Sequence, residues 1–335
     1  MKIHTSALVI WNVNVRQVLP KDAIPSIDEP QFGTAYNGEP DDLVVAVGGS
    51  TPKAYPFRIL DFHEIVNDEI QVDSGDGQRR IPIAVTWCPL CGSAVVYERT
   101  FDGRTLEFGV SGKLADDDLV MYDRETESEW KQSTGRCFDG VYNGRELPVR
   151  PAAVMSWEAY LDRHPDGVVL QPVEDGRSEA ASEDDTPAEI SYDERPYEAY
   201  FERDGFGLDA HRGDEDTRTW DRSDIDPKTV VLGLEFDDEA VGFPLPRVLD
   251  AGGAVHERVG GKTVVVFATD GGIHAFENPG FTFEPAGDGR FRADSATWDG
   301  TTGEADDGRG LTRLPARRLF AFTWRDDHGP NSFFG

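Results

Sequence analysis

Hydrophobic positions along this chain come in short runs broken by Gly, Asp, Asn and Pro, and few of them keep a helical period. The runs Val44–Val47, Ile81–Trp87, Ala94–Arg99 and Arg104–Val110 are rich in β-branched and aromatic side chains, which predicts strands. In "TFDGRTLEF", Asp-Gly at 102–103 separates two such runs and predicts a hairpin; Asn-Gly at 143–144 marks another turn. Met155–Arg163 has helical spacing, and Pro165 stops it. "AYPFRILDF" at 54–62 fits a short helix or an irregular strand equally. "FGVSGKL" at 108–114 reads as a strand ending in a turn. On a strand, Asp123, Glu125, Glu127 and Glu129 would share one solvated face. The expected fold class is mainly β, α+β at most, with short helices.

The pattern then begins again. "LVVAVGGSTPKAYPFRILDF" at 43–62 is answered by "VVLGLEFDDEAVGFPLPRVLDA" at 230–251, with Tyr55-Pro56 opposite Phe243-Pro244. "IAVTWCPLCGSAVVYER" is answered by "KTVVVFATDGGIHAFEN", and "SWEAYLDRHPDG" by "FAFTWRDDHGP". This order predicts two degenerate β-rich repeats, 19–172 and 197–335, related by a pseudo-twofold axis. Between them 173–196 is acidic and poor in large apolar residues, as a linker or surface loop is. Residues 1–18 form an N-terminal extension, of which the first dozen residues fit nothing downstream. In the second copy Phe267 and Asp270 stand opposite Cys88 and Cys91, and "HEIVND" at 63–68 has no counterpart. A residue needed only to fold the β-unit should occur in both copies, so His63, Cys88 and Cys91 are read as serving something besides packing.

Charge narrows the partners. Asp plus Glu number 63 against 33 Lys plus Arg, a net charge of −30 over 335 residues. Such a surface repels phosphates and anionic lipid, which excludes nucleic acid as a partner. The acid is spread along the whole chain, the composition expected of a protein kept soluble in the salt-rich cytoplasm of a halophilic archaeon. No stretch is apolar enough to insert in a membrane, and no export signal is evident, so a cytoplasmic location is expected.

"VTWCPLCGSAVVYER" at 85–99 carries the chemistry. A Cys-x-x-Cys turn brings two sulfurs within reach of one tetrahedral ion. The chain has only three cysteines, Cys88, Cys91 and Cys137, so a four-thiolate site is excluded. His63 would make a third ligand. The fourth would come from His164, His256, His274, His328 or Cys137, or the position stays open. Thiolates select copper, zinc or iron over magnesium and calcium. Met121 is a core methionine before it is a thioether ligand. Two other readings stay open. Trp-Cys-x-x-Cys echoes dithiol oxidoreductases, but a strand follows these cysteines, and the helix dipole that activates such thiols is missing. The cysteines could also be buried as small hydrophobes. "HEIVND" is not the His-Glu-x-x-His of a helical zinc site. If it is a strand, His63 and Asn67 share a face, and Glu64 or Asp68 could accept the second imidazole N–H.

The blocks "AYPFRILDFHEIVND", "VTWCPLCGSAVVYER" and "FGVSGKLADDDLVMYDRETESEWKQ" together resemble the family known as domain of unknown function 3179, in a haloarchaeal form, from about Leu19 to the end of the chain. The resemblance marks signature positions, among them Tyr55, His63, Glu64, Asn67, Cys88, Cys91, Ser111, Trp130 and Gln132. It implies no activity, since the family has none assigned. Tyr55, Asn67, Ser111, Trp130 and Gln132 are taken as the candidate cofactor or ligand contacts, and His63, Cys88 and Cys91 as the candidate metal ligands. The expected partner is a metal ion or an unknown small molecule.

Overall fold

The strand Gly77–Cys88 shows how the core is laid out. Ile83, Val85 and Trp87 enter one hydrophobic cluster, while Ala84 and Cys88 enter another on the opposite face. Successive strand residues point to opposite faces, so a sheet covered on both sides reads as a continuous apolar run. This is why Ile81–Trp87 shows no polar alternation. The architecture is that of a computed structural model, which describes residues 13–75, 77–182, 186–214 and 218–335.

The chain is mainly β, with short helices. A six-stranded sheet runs in the order Glu239–Pro244, Val230–Phe236, Arg317–Phe320, Ser93–Glu98, Gly77–Cys88, Ile65–Ser74. Its midline is the junction between the N- and C-terminal parts of the chain, where Arg318 pairs with Ala94. A five-stranded sheet of Val15–Gln17, Phe108–Ala115, Asp118–Asp123, Glu129–Lys131 and Arg136–Asp139 faces it across the cluster that holds Ala84 and Cys88. Among the described residues no helix is long and apolar enough to cross a membrane.

Several local expectations resolve. Thr100–Phe101 pairs with Arg104–Thr105 about the Asp-Gly turn. "AYPFRILDF" is both of its alternatives in succession: strand Lys53–Pro56, then helix Phe57–His63, with Pro56 at the N-cap. The later helix starts at Trp157, two residues after Met155, because the Ser156 side chain caps it by accepting from the Ala159 N–H. Phe108–Ala115 is a strand that ends in a turn at Asp116 and Asp117, and it carries a bulge between Val110 and Leu114. Gly112 sits there at φ +73°, where a Cβ would lie 2.2 Å from the Leu19 carbonyl oxygen. The acidic run from Asp123 to Glu129 is not one strand face. Asp123 ends a strand, and its carboxylate accepts from the Thr126 N–H and hydroxyl and from the Trp130 indole, closing a turn.

The first twelve residues lie outside the described chain. Within the rest of the N-terminal extension, Val15–Gln17 runs antiparallel to Lys113–Ala115. The acidic stretch 173–196 is tied to the N-terminal part, where Arg58 donates to the Tyr192 carbonyl at 2.6 Å and the Glu179 N–H to the Ala23 carbonyl at 2.9 Å. The hairpin-plus-helix of 43–63 has a C-terminal parallel in Val230–Phe236, Glu239–Pro244 and Leu245–Asp250, again with a proline, Pro244, at the N-cap.

Candidate functional site

Cys88 ends one strand and Ser93 begins the next, so Cys-x-x-Cys is the turn of a hairpin. Pro89 starts the turn, and Gly92 closes it at φ +56°, donating to the Pro89 carbonyl at 3.2 Å. No side chain fits at Gly92: a Cβ would lie 2.6 Å from the Phe320 ring. The C-terminal part of the chain clamps this turn. The Phe320 N–H donates to the Cys91 carbonyl at 2.8 Å, Arg318 to the Gly92 carbonyl at 2.6 Å, and the Tyr200 hydroxyl to the Leu90 carbonyl at 2.7 Å.

The two sulfurs lie 2.9 Å apart and both are buried. The Cys91 thiol donates to the Asp117 carbonyl at 3.2 Å. Asp116 and Asp117 both have positive φ, the two-residue turn that joins Phe108–Ala115 to Asp118–Asp123. That turn delivers Asp118 to the thiols. The two sulfurs and a carboxylate oxygen of Asp118 lie within 4.8 Å of one another, all three residues buried. One Asp118 oxygen accepts from the Ser133 N–H at 2.8 Å; the other is buried with no hydrogen-bond partner among the described residues.

His63 is not in this group. As the last residue of its helix, it has Nδ1 2.8 Å from the Pro25 carbonyl and Nε2 2.7 Å from the Tyr192 hydroxyl. Both ring nitrogens are engaged, and burial pushes the imidazole down to about 4. The strand that would have set His63 and Asn67 on one face begins only at Ile65. The structure thus puts the carboxylate of Asp118 where the sequence reading put an imidazole. The other suggested fourth ligands also lie outside the group. His274 contacts Gly271 and Arg313, His256 accepts from the Phe283 N–H, and the Cys137 thiol donates to the Asp139 carbonyl.

The five candidate contact residues are each held by protein partners. The Tyr55 hydroxyl donates to Asp68 at 2.6 Å, and Asn67 bridges Asp28 and the Phe108 backbone. The Ser111 hydroxyl donates to the Val120 carbonyl beside the bulge, and Trp130 packs on Phe101 with its indole on Asp123. The Gln132 amide donates to the Thr86 hydroxyl and the Ser93 carbonyl.

A cavity of about 210 Å³ reaches Cys88, and Glu64, Glu179, Tyr197, Leu208 and His211 line it. Glu64 follows the helix at φ 57°, its N–H donating to Leu60 at 2.7 Å and its carbonyl accepting from Trp87 at 2.8 Å. These two bonds fix its direction. Burial is the largest cause lifting Glu64 to about 8, with the charges of Glu179, Asp118 and Asp61 adding to it. Asp118 is lifted to about 6 by burial, with Asp327 adding and Lys131 opposing, and Asp61 by burial to about 7. Burial raises both thiols too, Cys91 well above the usual range, so the bare site holds protonated thiols. His211 and Glu179 carry no local signal in the sequence. Asp118 carries one, the Asp-Asp-Asp turn after a β run.

A family model described as "Protein of unknown function (DUF3179)" matches residues 21–331, nearly the whole chain. No curated protein and no solved structure matches it.

Proposed function

Since the chain belongs to the DUF3179 family, whose description assigns no activity, we propose from its own geometry that Cys88, Cys91 and Asp118 bind a borderline or soft metal ion: zinc, copper or iron. The observation that carries this reading is the Asp118 oxygen, buried without a hydrogen-bond partner among the described residues, in a group with two thiols. A buried unpaired carboxylate is costly, and a cation is the partner that two sulfurs and an oxygen select. Binding would replace the thiol protons with the metal. A tetrahedral ion with sulfur at about 2.3 Å sets its sulfurs about 3.7 Å apart, so these must part by roughly 1 Å on loading. The difference of the two halves fits this reading, in which one of two duplicated units keeps the metal-binding turn.

Metal content tests it. The full chain, purified in high salt without chelator, should carry close to one zinc, copper or iron, and Cys88→Ser/Cys91→Ser should carry none. Asp118→Asn should bind the same ion about tenfold or more weakly. A wild-type chain that stays metal-free when offered all three ions ends the proposal. The 2.9 Å sulfur separation favours a second reading, a dithiol that closes to a disulfide. The raised thiols oppose it, because the attacking species is a thiolate. Reversible titration of the pair near the cytosolic thiol potential, in metal-free protein, would select that reading.

A further inference from the structure

The cavity beside Cys88 has features that a metal on Cys88, Cys91 and Asp118 does not use. Glu64 and Tyr197 are each only 8% exposed, and both line it. Neither the Glu64 carboxyl nor the Tyr197 hydroxyl has a hydrogen-bond partner among the described residues, although nearly every other buried polar side chain here has one. Native interiors pair such groups, and those left over at a cavity wall point to something that enters it. Much of the remaining wall is apolar and comes from distant parts of the chain: Leu19, Ile24, Leu90, Leu119 and Leu208. The volume of about 210 Å³ suits a small organic molecule, since an apolar cavity of about 150 Å³ takes a benzene ring.

We propose that this cavity binds a small primary amine with an apolar body, its ammonium on Glu64 and its body among the leucines. Three features select that chemistry. The charges that bear on Glu64 are those of Glu179, Asp118 and Asp61, so an anionic head is repelled and a cationic head supplies the missing counter-charge. An ammonium offers three donors, enough for a carboxylate and a phenol oxygen together. The leucine walls reward an apolar body and leave a second charge unpaired. The basic groups at the cavity do not reverse this sign. Lys113 is paired with Glu129, Arg212 is exposed to solvent, where its charge is screened, and His211 lies among Tyr197 and Tyr200, its proton affinity lowered by burial. The proposal goes beyond the cation reading and does not require it.

The test uses the full chain in high salt, with metal content measured on the same sample. Binding of benzylamine, benzyl alcohol and benzoate is followed by saturation-transfer NMR and calorimetry. Benzylamine should bind, the alcohol more weakly, and benzoate not at all. Glu64→Gln, of nearly the same shape, should weaken benzylamine by roughly tenfold or more. Leu208→Trp, which fills the cavity, should abolish binding while the metal content stays as in wild type. Benzoate binding as well as benzylamine would overturn the proposal, and so would a Glu64→Gln chain with unchanged amine affinity. Loss of the metal in Glu64→Gln with amine binding intact would also overturn it, since Glu64 would then belong to the ion. Amine bound to a chain that stays metal-free when offered zinc, copper and iron sinks the cation reading alone; metal bound without amine sinks this one alone.

Discussion

Replacing Glu64 by Gln should stabilise the metal-free protein, and the gain should depend on pH. The folded chain raises this carboxyl from 4.5 to about 8, mainly by burial and then by the charges of Glu179, Asp118 and Asp61. A folded value above the unfolded one means the stability is fully present below about pH 4.5. It is lost as pH rises through about 8, because the unfolded chain ionises freely and the folded chain resists. At roughly 1.4 kcal/mol per tenfold change in proton affinity, the complete penalty is on the order of 5 kcal/mol. Asp61 and Asp118 share the same field, so part of the cost returns when any one of the three stays protonated. We expect about 2–4 kcal/mol between Glu64→Gln and wild type at pH 9, and little difference near pH 4.5. The assay is urea unfolding of chelator-treated protein at constant high salt, in a series from pH 4.5 to 9. High salt screens the acidic surface but not a carboxyl that is 8% exposed, so the pH-dependent part reports the buried site. A difference between the two proteins that is the same at every pH would refute the reasoning. So would a Gln variant less stable than wild type at pH 9.

The other expectations concern the thiol turn and its surroundings. Because both thiols are protonated at neutral pH, zinc binding at pH 7 should release close to two protons per chain, read by calorimetry in two buffers of different ionisation enthalpy; release of none would refute thiolate ligation. His63→Phe should leave metal content unchanged while costing about 1–3 kcal/mol for the lost contacts to Pro25 and Tyr192, and loss of the metal would refute the assignment of Asp118 in its place. With a folded value near 4 against 6.5, His63 also contributes stability that is present above pH 6.5 and lost as pH falls toward 4, a slope the Phe variant should lack in urea melts. Gly92→Ala should cost about 1–3 kcal/mol and weaken metal binding, because positive φ and the Phe320 ring both oppose a Cβ; an unchanged urea midpoint would show that the turn can shift.

Local features were legible in the residues because each rests on neighbours in the chain. The strand at 77–88, the Asp-Gly hairpin at 102–103 and the thiol turn follow from runs of β-branched residues and from glycine and proline punctuation. The same reasoning showed that Cys88 and Cys91 meet, since the two residues between them, Pro89 and Leu90, cannot keep them apart. It failed at the third member of the group. Its absence from the second copy made His63 attractive, yet the helix C-terminus turns its ring toward Pro25 and Tyr192. The same segment hands Glu64, the next residue, to the cavity.

What only the tertiary structure decided is which distant residues surround the turn. Asp118 arrives on the bend of another sheet, Tyr197 and His211 from beyond the acidic stretch, and Phe320 from the far end of the chain. No periodicity encodes those meetings, because they depend on how two sheets close over one hydrophobic cluster. The sequence alone determined a β-rich chain with paired thiols at a hairpin turn. The closing of the two sheets chose a carboxylate to meet those thiols and left an unpaired acid and phenol facing the space beside them.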